Sequence, residues 1–380
     1  MRLYRFLYLL ASVTAGQCAS SGERVGRGQS VVNCSAFVTL QDCHDALPAA
    51  GGVMRLAPNT VSVLPTTLRI TKNSVFILGA GIGSSVVQRS PVLTSGDLIT
   101  VWGTGFRISG VTLDGNHVTN FTEELGLLGA NPIIDSIEVK NNANIGVAVA
   151  TSGAKILNSR FVGLASPTVG SMGIWFDSSQ VERLLIAHNV IQNQRLNGIF
   201  GSGRAVEITR NYLSGNHRQV FPSGGGQIAI KGVPTNANIS IVGNVIENGG
   251  GAVTSGIEID GPPVQVIWNT VRWNALLGII LQSGFGHQVV GNAVSNSGSI
   301  FAKQPGILVV AGISGFRILG NRAFDDQTDK TQSHGIQVET GPSSDYVIAG
   351  NDVRGNALPS GISDEGWGPN RLVFGNIDGP

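Results

Sequence analysis

Apolar residues recur along this chain at a strand period inside a longer repeat. Eight short elements open at Gly173, Gly198, Gln227, Gly256, Gly278, Gly306, Gly335 and Gly361, and each continues with isoleucine: Ile174, Ile199, Ile228, Ile257, Ile279, Ile307, Ile336 and Ile362. Two residues beyond each isoleucine stand Phe176, Gly201, Ile230, Ile259, Leu281, Val309, Val338 and Asp364, mostly apolar again. Alternation of this kind predicts strands with one buried face. In step with it, an asparagine returns in an apolar setting at Asn189, Asn211, Asn244, Asn269, Asn292, Asn321, Asn351 and Asn376, at spacings of 22 to 33 residues. A strand-based repeat of that length predicts a solenoid whose isoleucines stack into one core. The asparagines then stack amide upon amide at one corner, in a structural role.

Composition agrees with many tight turns and an uncharged exterior. Glycine supplies 53 of 380 residues and charged residues only 13%. The start of the chain reads as an export signal over residues 1–19, with Arg2 and Arg5 before the apolar run Phe6 to Ala15. That run is too short to span a bilayer permanently, so an exported protein, periplasmic or extracellular, is expected. Removing it takes the formal charge from +1 to −1, since two arginines and no acids are lost. Nothing there pulls the protein toward nucleic acid or an anionic membrane. Residues 20–30 read as a flexible linker, and 31–380 as the solenoid. Cys34 and Cys43 either bridge in an oxidising compartment or remain two buried thiols. Between Phe37 and Leu47 one short helix is expected, placed to cover the first rung.

The run Ala49-Ala-Gly-Gly-Val-Met-Arg-Leu-Ala-Pro-Asn-Thr is followed by Leu68-Arg-Ile, Val75-Phe-Ile-Leu-Gly-Ala-Gly and Phe106-Arg-Ile-Ser-Gly-Val-Thr-Leu-Asp-Gly-Asn. This succession resembles the opening of the pectin-lyase-like right-handed parallel β-helix superfamily, and the resemblance extends through the repeats to residue 380. It implies an all-β fold, a single right-handed parallel β-helix, and action on an extracellular polysaccharide with uronate-containing chains as the leading substrate class. The chain departs from the polygalacturonase-like hydrolases of that fold. It has no Gly-His-Gly segment, and Asp325-Asp326 follows the Asn321 turn instead of lying on a Gly-Ile strand.

Candidate chemistry follows from the face left outward. One file holds Trp175, Phe200, Ala229, Glu258, Ile280 and Leu308; a second holds Asp177, Ser202, Lys231, Asp260 and Gln282. Aromatic faces beside carboxylates suit a sugar chain, which needs a flat apolar surface and partners for hydroxyls. In a lyase reading, Lys231 acts as base or charge stabiliser with Asp260 one rung away and Arg204 on the preceding rung. Asp177, Glu258 and Asp260 could instead hold Ca²⁺, the one cofactor the row suggests. In a hydrolase reading Glu258 and Asp260, ~7 Å apart, form an inverting pair. In the plainest reading the row is a solvated face with a Lys231–Asp260 ion pair. His217 and Arg218 lie on a long insertion that could wall the groove. A non-catalytic glycan-binding or surface structural protein is the alternative from a different class.

Overall fold

The computed structural model describes residues 29–118, 122–163, 170–176, 180–217, 225–232, 237–251, 254–261, 263–298 and 303–379. The proposed leader and most of the linker lie outside these residues. The chain winds as a right-handed parallel β-solenoid of about 12 turns with almost no helix. Its strands form three parallel sheets of 14, 12 and 11 strands, and each rung visits the three in turn. One rung, for instance, contributes Val264–Ile267 to the 14-strand sheet, Thr270–Arg272 to the 11-strand sheet and Ile279–Ser283 to the 12-strand sheet.

The repeated isoleucines occupy the position the period-two pattern assigns them. Ile174, Ile199, Ile228, Ile257, Ile279, Ile307 and Ile336 are wholly buried, and partner one another from strand to strand. Two places later Asp364 breaks the apolar file. The Tyr346 hydroxyl donates to it, and that ring stacks on Phe316 at 4.4 Å between centroids.

The glycines ahead of the isoleucines have a packing cause. A Cβ on Gly256 would lie 2.3 Å from Val271 Cγ1, and one on Gly278 would lie 2.3 Å from Val294 Cγ1. The corner thus presses against the 11-strand-sheet strand of the next rung. Gln227 breaks the series because its amide joins a second internal polar ladder. It accepts from Asn216 Nδ2 at 3.0 Å and donates to Asn274 Oδ1 at 2.9 Å.

All eight asparagines of the repeat stack at the corner between the 14- and 11-strand sheets. From Asn211 to Asn376, each side-chain oxygen accepts from the backbone N–H of the previous asparagine at 2.8–3.0 Å. The side-chain nitrogens donate to the next amide and to a carbonyl of the previous rung, as Asn244 Nδ2 does to Ile208 O at 2.9 Å. Buried turn groups that have no sheet partner are satisfied in this way. The residue before each asparagine takes a left-handed conformation, which explains Gly243, Gly291, Gly320, Gly350 and Gly375 there.

At the N-terminal end the helix is shorter than expected, Leu40–Asp45, and starts with a capping box between Thr39 and Asp42. Leu40, Cys43 and Leu47 join the main core. Cys34 and Cys43 form a disulfide, which closes the alternative of two free thiols.

One ionisable pair lies inside the solenoid. Arg89 and Glu124 are wholly buried, with Nη2 3.7 Å from Oε2. Burial pushes the Glu124 carboxyl up to about 8 despite the attraction of Arg89. Glutamic acid held in this way keeps its proton in the fold after the unfolded chain has released it near 4.5. Stability is therefore expected to fall as pH rises from about 4.5 to about 8, by ~1.4 kcal/mol per pH unit for each such proton, and to level off above. Glu124→Gln, neutral throughout, should remove one proton's share of that slope in urea titrations, leaving the share of Glu123, whose carboxyl is also raised. A slope unchanged in the variant would remove Glu124 as a source.

Candidate functional site

On the outer face of the 12-strand sheet the register runs Ala148, Trp175, Phe200, Ala229, Glu258, Ile280, Leu308, Gln337 and Ser363 in one file. Trp175 and Phe200 are half-buried neighbours, so two aromatic side chains stand one strand spacing apart, ~4.8 Å. That placement agrees with the sequence pattern and forms a platform for a flat apolar ring face.

The charged residues pair differently from expectation. Lys231 and Asp260 are register partners on adjacent strands. Yet Lys231 Nζ lies 2.8 Å from Glu258 Oε1, while Asp260 Oδ1 accepts from Ser283 Oγ at 2.5 Å. Glu258 is only 1% exposed, and a buried carboxylate demands a counter-charge more strongly than a half-exposed one. The long lysine side chain reaches back along the strand to supply it. The Lys231–Asp260 ion pair is thereby corrected.

A register shift between Ile259 and Asp260 changes the next position as well. It sets Asp260 against Ser283, so Gln282, though half-buried nearby, is not the neighbour that the simple offset predicts. Ser202 lies just beyond the strand Ile199–Gly201, and its N–H donates to Phe176 O at 3.2 Å. Arg204 does not share the sheet of Lys231. It opens the strand Arg204–Thr209 of the 14-strand sheet, opposite Glu182, because the chain turns the corner at Ser202 and Gly203. Asp177 and Arg218 lie outside the described residues.

His217 is not a solvated wall of the groove. It is 4% exposed, with Nδ1 3.2 Å from Thr254 Oγ1, and that hydroxyl donates to His217 O at 2.7 Å. Desolvation, with a smaller repulsion from Lys231, pushes its pKa down to about 4, so the imidazole is neutral at neutral pH.

Past Glu258 the file becomes aliphatic and is covered. Leu277, Ile280 and Leu308 form a small cluster outside the main core, with Leu276 and Val310 packed against it. The outward pattern places these residues on the exterior, but the segment carrying Leu276 and Leu277 folds over them. Expulsion of water from apolar surface is the cause. The groove therefore ends near Glu258.

These positions bear on the other readings. Glu258, buried beneath Lys231, is not presented to a glycosidic bond together with Asp260, so the pair lacks the shared access an inverting hydrolase needs. The same lysine contact removes Glu258 from the carboxylate set suggested for Ca²⁺. No group of three histidine, cysteine or acidic side chains able to hold a metal occurs among the described residues.

The file extends further than sequence reasoning carried it. From Ala148 it continues through Gly126 and Thr100 to Arg69. The signal was present in the alternation of Leu68-Arg-Ile, but no Gly-Ile dipeptide marks these rungs.

No protein-family model matches the chain, and no curated protein matches it in sequence. Solved structures resemble it in fold. The A-module of Azotobacter vinelandii mannuronan C-5 epimerase AlgE4 superposes with a TM-score of 0.62 at 17% identity, covering 91% of this chain and 100% of that one. The periplasmic alginate epimerase AlgG gives 0.60 at 12% identity, over 92% and 83% of the two chains. Tailspike protein 3 of bacteriophage CBA120 gives 0.53 at 13% identity, over 92% and 62%. At these identities the likeness establishes the parallel β-helix fold alone. Among the described residues, no helix is long and apolar enough to cross a membrane.

Proposed function

We propose that the protein is exported and acts on an anionic, uronate-containing polysaccharide lying along the outer face of the 12-strand sheet, with lyase-type proton abstraction as the leading chemistry. One observation carries this reading: the platform of Trp175 and Phe200 runs directly into the Lys231, Glu258 and Asp260 cluster on the same face. The β-helix neighbours named as mannuronan and alginate epimerases add support for the substrate class. A lyase and a C5 epimerase share their first step. The proton beside the uronate carboxylate passes to a base, and its electron pair moves into that carboxylate. A lyase then expels the 4-linked oxygen, leaving a C4–C5 double bond, whereas an epimerase returns a proton to the opposite face.

In this reading Lys231, ion-paired to Glu258, serves as the cation that stabilises charge developing on the uronate carboxylate, and not as the base. Asp260, more open and on the adjacent strand, is the proton acceptor. A second reading, glycan binding without turnover, is favoured by the burial of Glu258 and the aliphatic cover over Ile280 and Leu308, which leave few groups for chemistry.

Incubation with alginate, pectins, glycosaminoglycans and neutral glucans tests both. Ultraviolet absorbance reports unsaturated uronides, a reducing-end assay reports cleavage, and NMR reports inversion at C5. Unsaturated product from a uronate polymer is the expected result. Inversion without cleavage would replace the lyase assignment with an epimerase, and binding without chemical change would establish the second reading. A protein that neither binds nor alters any uronate polymer overturns the proposal.

A further inference from the structure

The N-terminal rungs of the same face hold an open cleft of about 550 Å³ to which the row around Lys231 does not extend. Arg69, Thr71, Asp97, Thr100, Trp102 and Leu128 line it. Trp102 is 59% exposed and Leu128 39%, so an indole and an aliphatic side chain stand side by side in solvent. Arg69 is exposed and makes no ion pair with any described residue.

The carboxyl group of Asp97 also lines the cleft, with Glu123 of the adjacent rung close enough to influence it. Thr100 Oγ1 donates to Asp97 Oδ2 at 2.7 Å, and the Thr122 hydroxyl donates to Asp97 Oδ1. Gly126 leaves the space for this arrangement, because a Cβ there would lie 2.7 Å from Asp97 Oδ2. Desolvation raises Asp97, but hydrogen bonds from Glu123, Thr122 and Thr100 outweigh it and hold its pKa below the usual value. Desolvation and the Asp97 charge push Glu123 up to about 8.

The cleft is also braced from within. The wholly buried Arg89 donates to Gly96 O at 3.1 Å, Leu93 O at 3.3 Å and Glu123 O at 2.9 Å. One guanidinium thus clamps both segments that carry the carboxyls. Burying an arginine is costly, and three backbone carbonyls that accept from Arg89 offset that cost.

We infer that this cleft is a second sugar subsite on the groove, taking one uronate unit: its ring on Trp102, its acid group on Arg69, and its hydroxyls on Asp97 and Thr100. The inference rests on the glycan-groove reading above. Thr100 and Glu258 belong to one continuous file six strand steps apart, a span of ~29 Å. A polymer held at both places gains affinity by linkage, so long chains bind more tightly than short ones.

Calorimetric titration of the full chain with oligomannuronates and oligogalacturonates, in lengths below and above ~29 Å, tests it. Trp102→Ala and Arg69→Ala alter exposed side chains and leave the fold intact. Each is expected to weaken long oligomers by about tenfold, roughly 1.4 kcal/mol, and short ones much less. Trp175→Ala should weaken both lengths. If the two N-terminal variants bind long oligomers as the wild type does while Trp175→Ala fails, the subsite is overturned and the groove reading stands. If neutral glucan oligomers bind the wild type as tightly as the uronates, the Arg69 contact is overturned. Absence of oligouronate binding by the wild type overturns the groove reading and the subsite with it.

Discussion

Asn269→Ala is expected to destabilise the protein by roughly 3–5 kcal/mol, since two or more buried polar groups lose their partners at ~1–3 kcal/mol each. Asn269 is 1% exposed. Its side-chain oxygen accepts from the backbone N–H and the side-chain Nδ2 of Asn244, both at 2.9 Å. Its Nδ2 donates to Ile241 O at 2.8 Å and Asn292 Oδ1 at 3.0 Å. Alanine leaves these groups buried, in a turn with no room for the chain to re-pair them. Asn376, the last of the series, is half-exposed and accepts from Asn351 at 3.0 Å. There water can replace the lost amide, so Asn376→Ala should cost only ~1 kcal/mol. Urea unfolding of the two variants, with hydrogen exchange followed at the Asn244 amide, compares them directly. Equal costs would mean that the ladder adds nothing beyond an ordinary turn hydrogen bond.

Lys231→Met is expected to lower turnover on a uronate polymer by about a hundredfold or more, as loss of a group aimed at developing charge commonly does. It should also destabilise the fold, because Glu258 is then left 1% exposed without its ammonium partner at 2.8 Å. Lysine is one-third exposed here, so solvent moderates that loss to ~1–3 kcal/mol. Replacing both partners separates the two effects. Lys231→Met with Glu258→Leu removes the buried charge and should recover most of the stability while turnover stays low. Steady-state kinetics and unfolding on the same three proteins give the answer. A double variant that regains turnover would make the ion pair purely architectural and move the chemistry elsewhere on the face.

Much of the scaffold was legible before any coordinates. Period-two alternation after each Gly-Ile places Ile174 through Ile336 in the core, and the asparagine spacing marks the corner where all eight amides stack. Both are local consequences of strand geometry repeated at fixed intervals. The candidate site was legible in part. Trp175, Phe200, Lys231, Glu258 and Asp260 were assigned to the correct face, but their partners were not. Arg204 was displaced to another sheet because a repeat pattern does not say at which residue the chain turns its corner.

By itself the sequence determined the rung, the strand period and the identity of the stacked residues, since those follow from spacing alone. Only the tertiary structure decided that Lys231 reaches Glu258, that a register shift brings Ser283 to Asp260, and that Leu276 and Leu277 cover Ile280 and Leu308. It also decided that Arg89 holds together Gly96 and Glu123, 27 residues apart, and so braces the cleft that Asp97 lines. The physical reason is common to these cases. Periodicity fixes which way a side chain leaves the backbone, whereas burial and pairing depend on non-repeating loops and on how far a long side chain can reach.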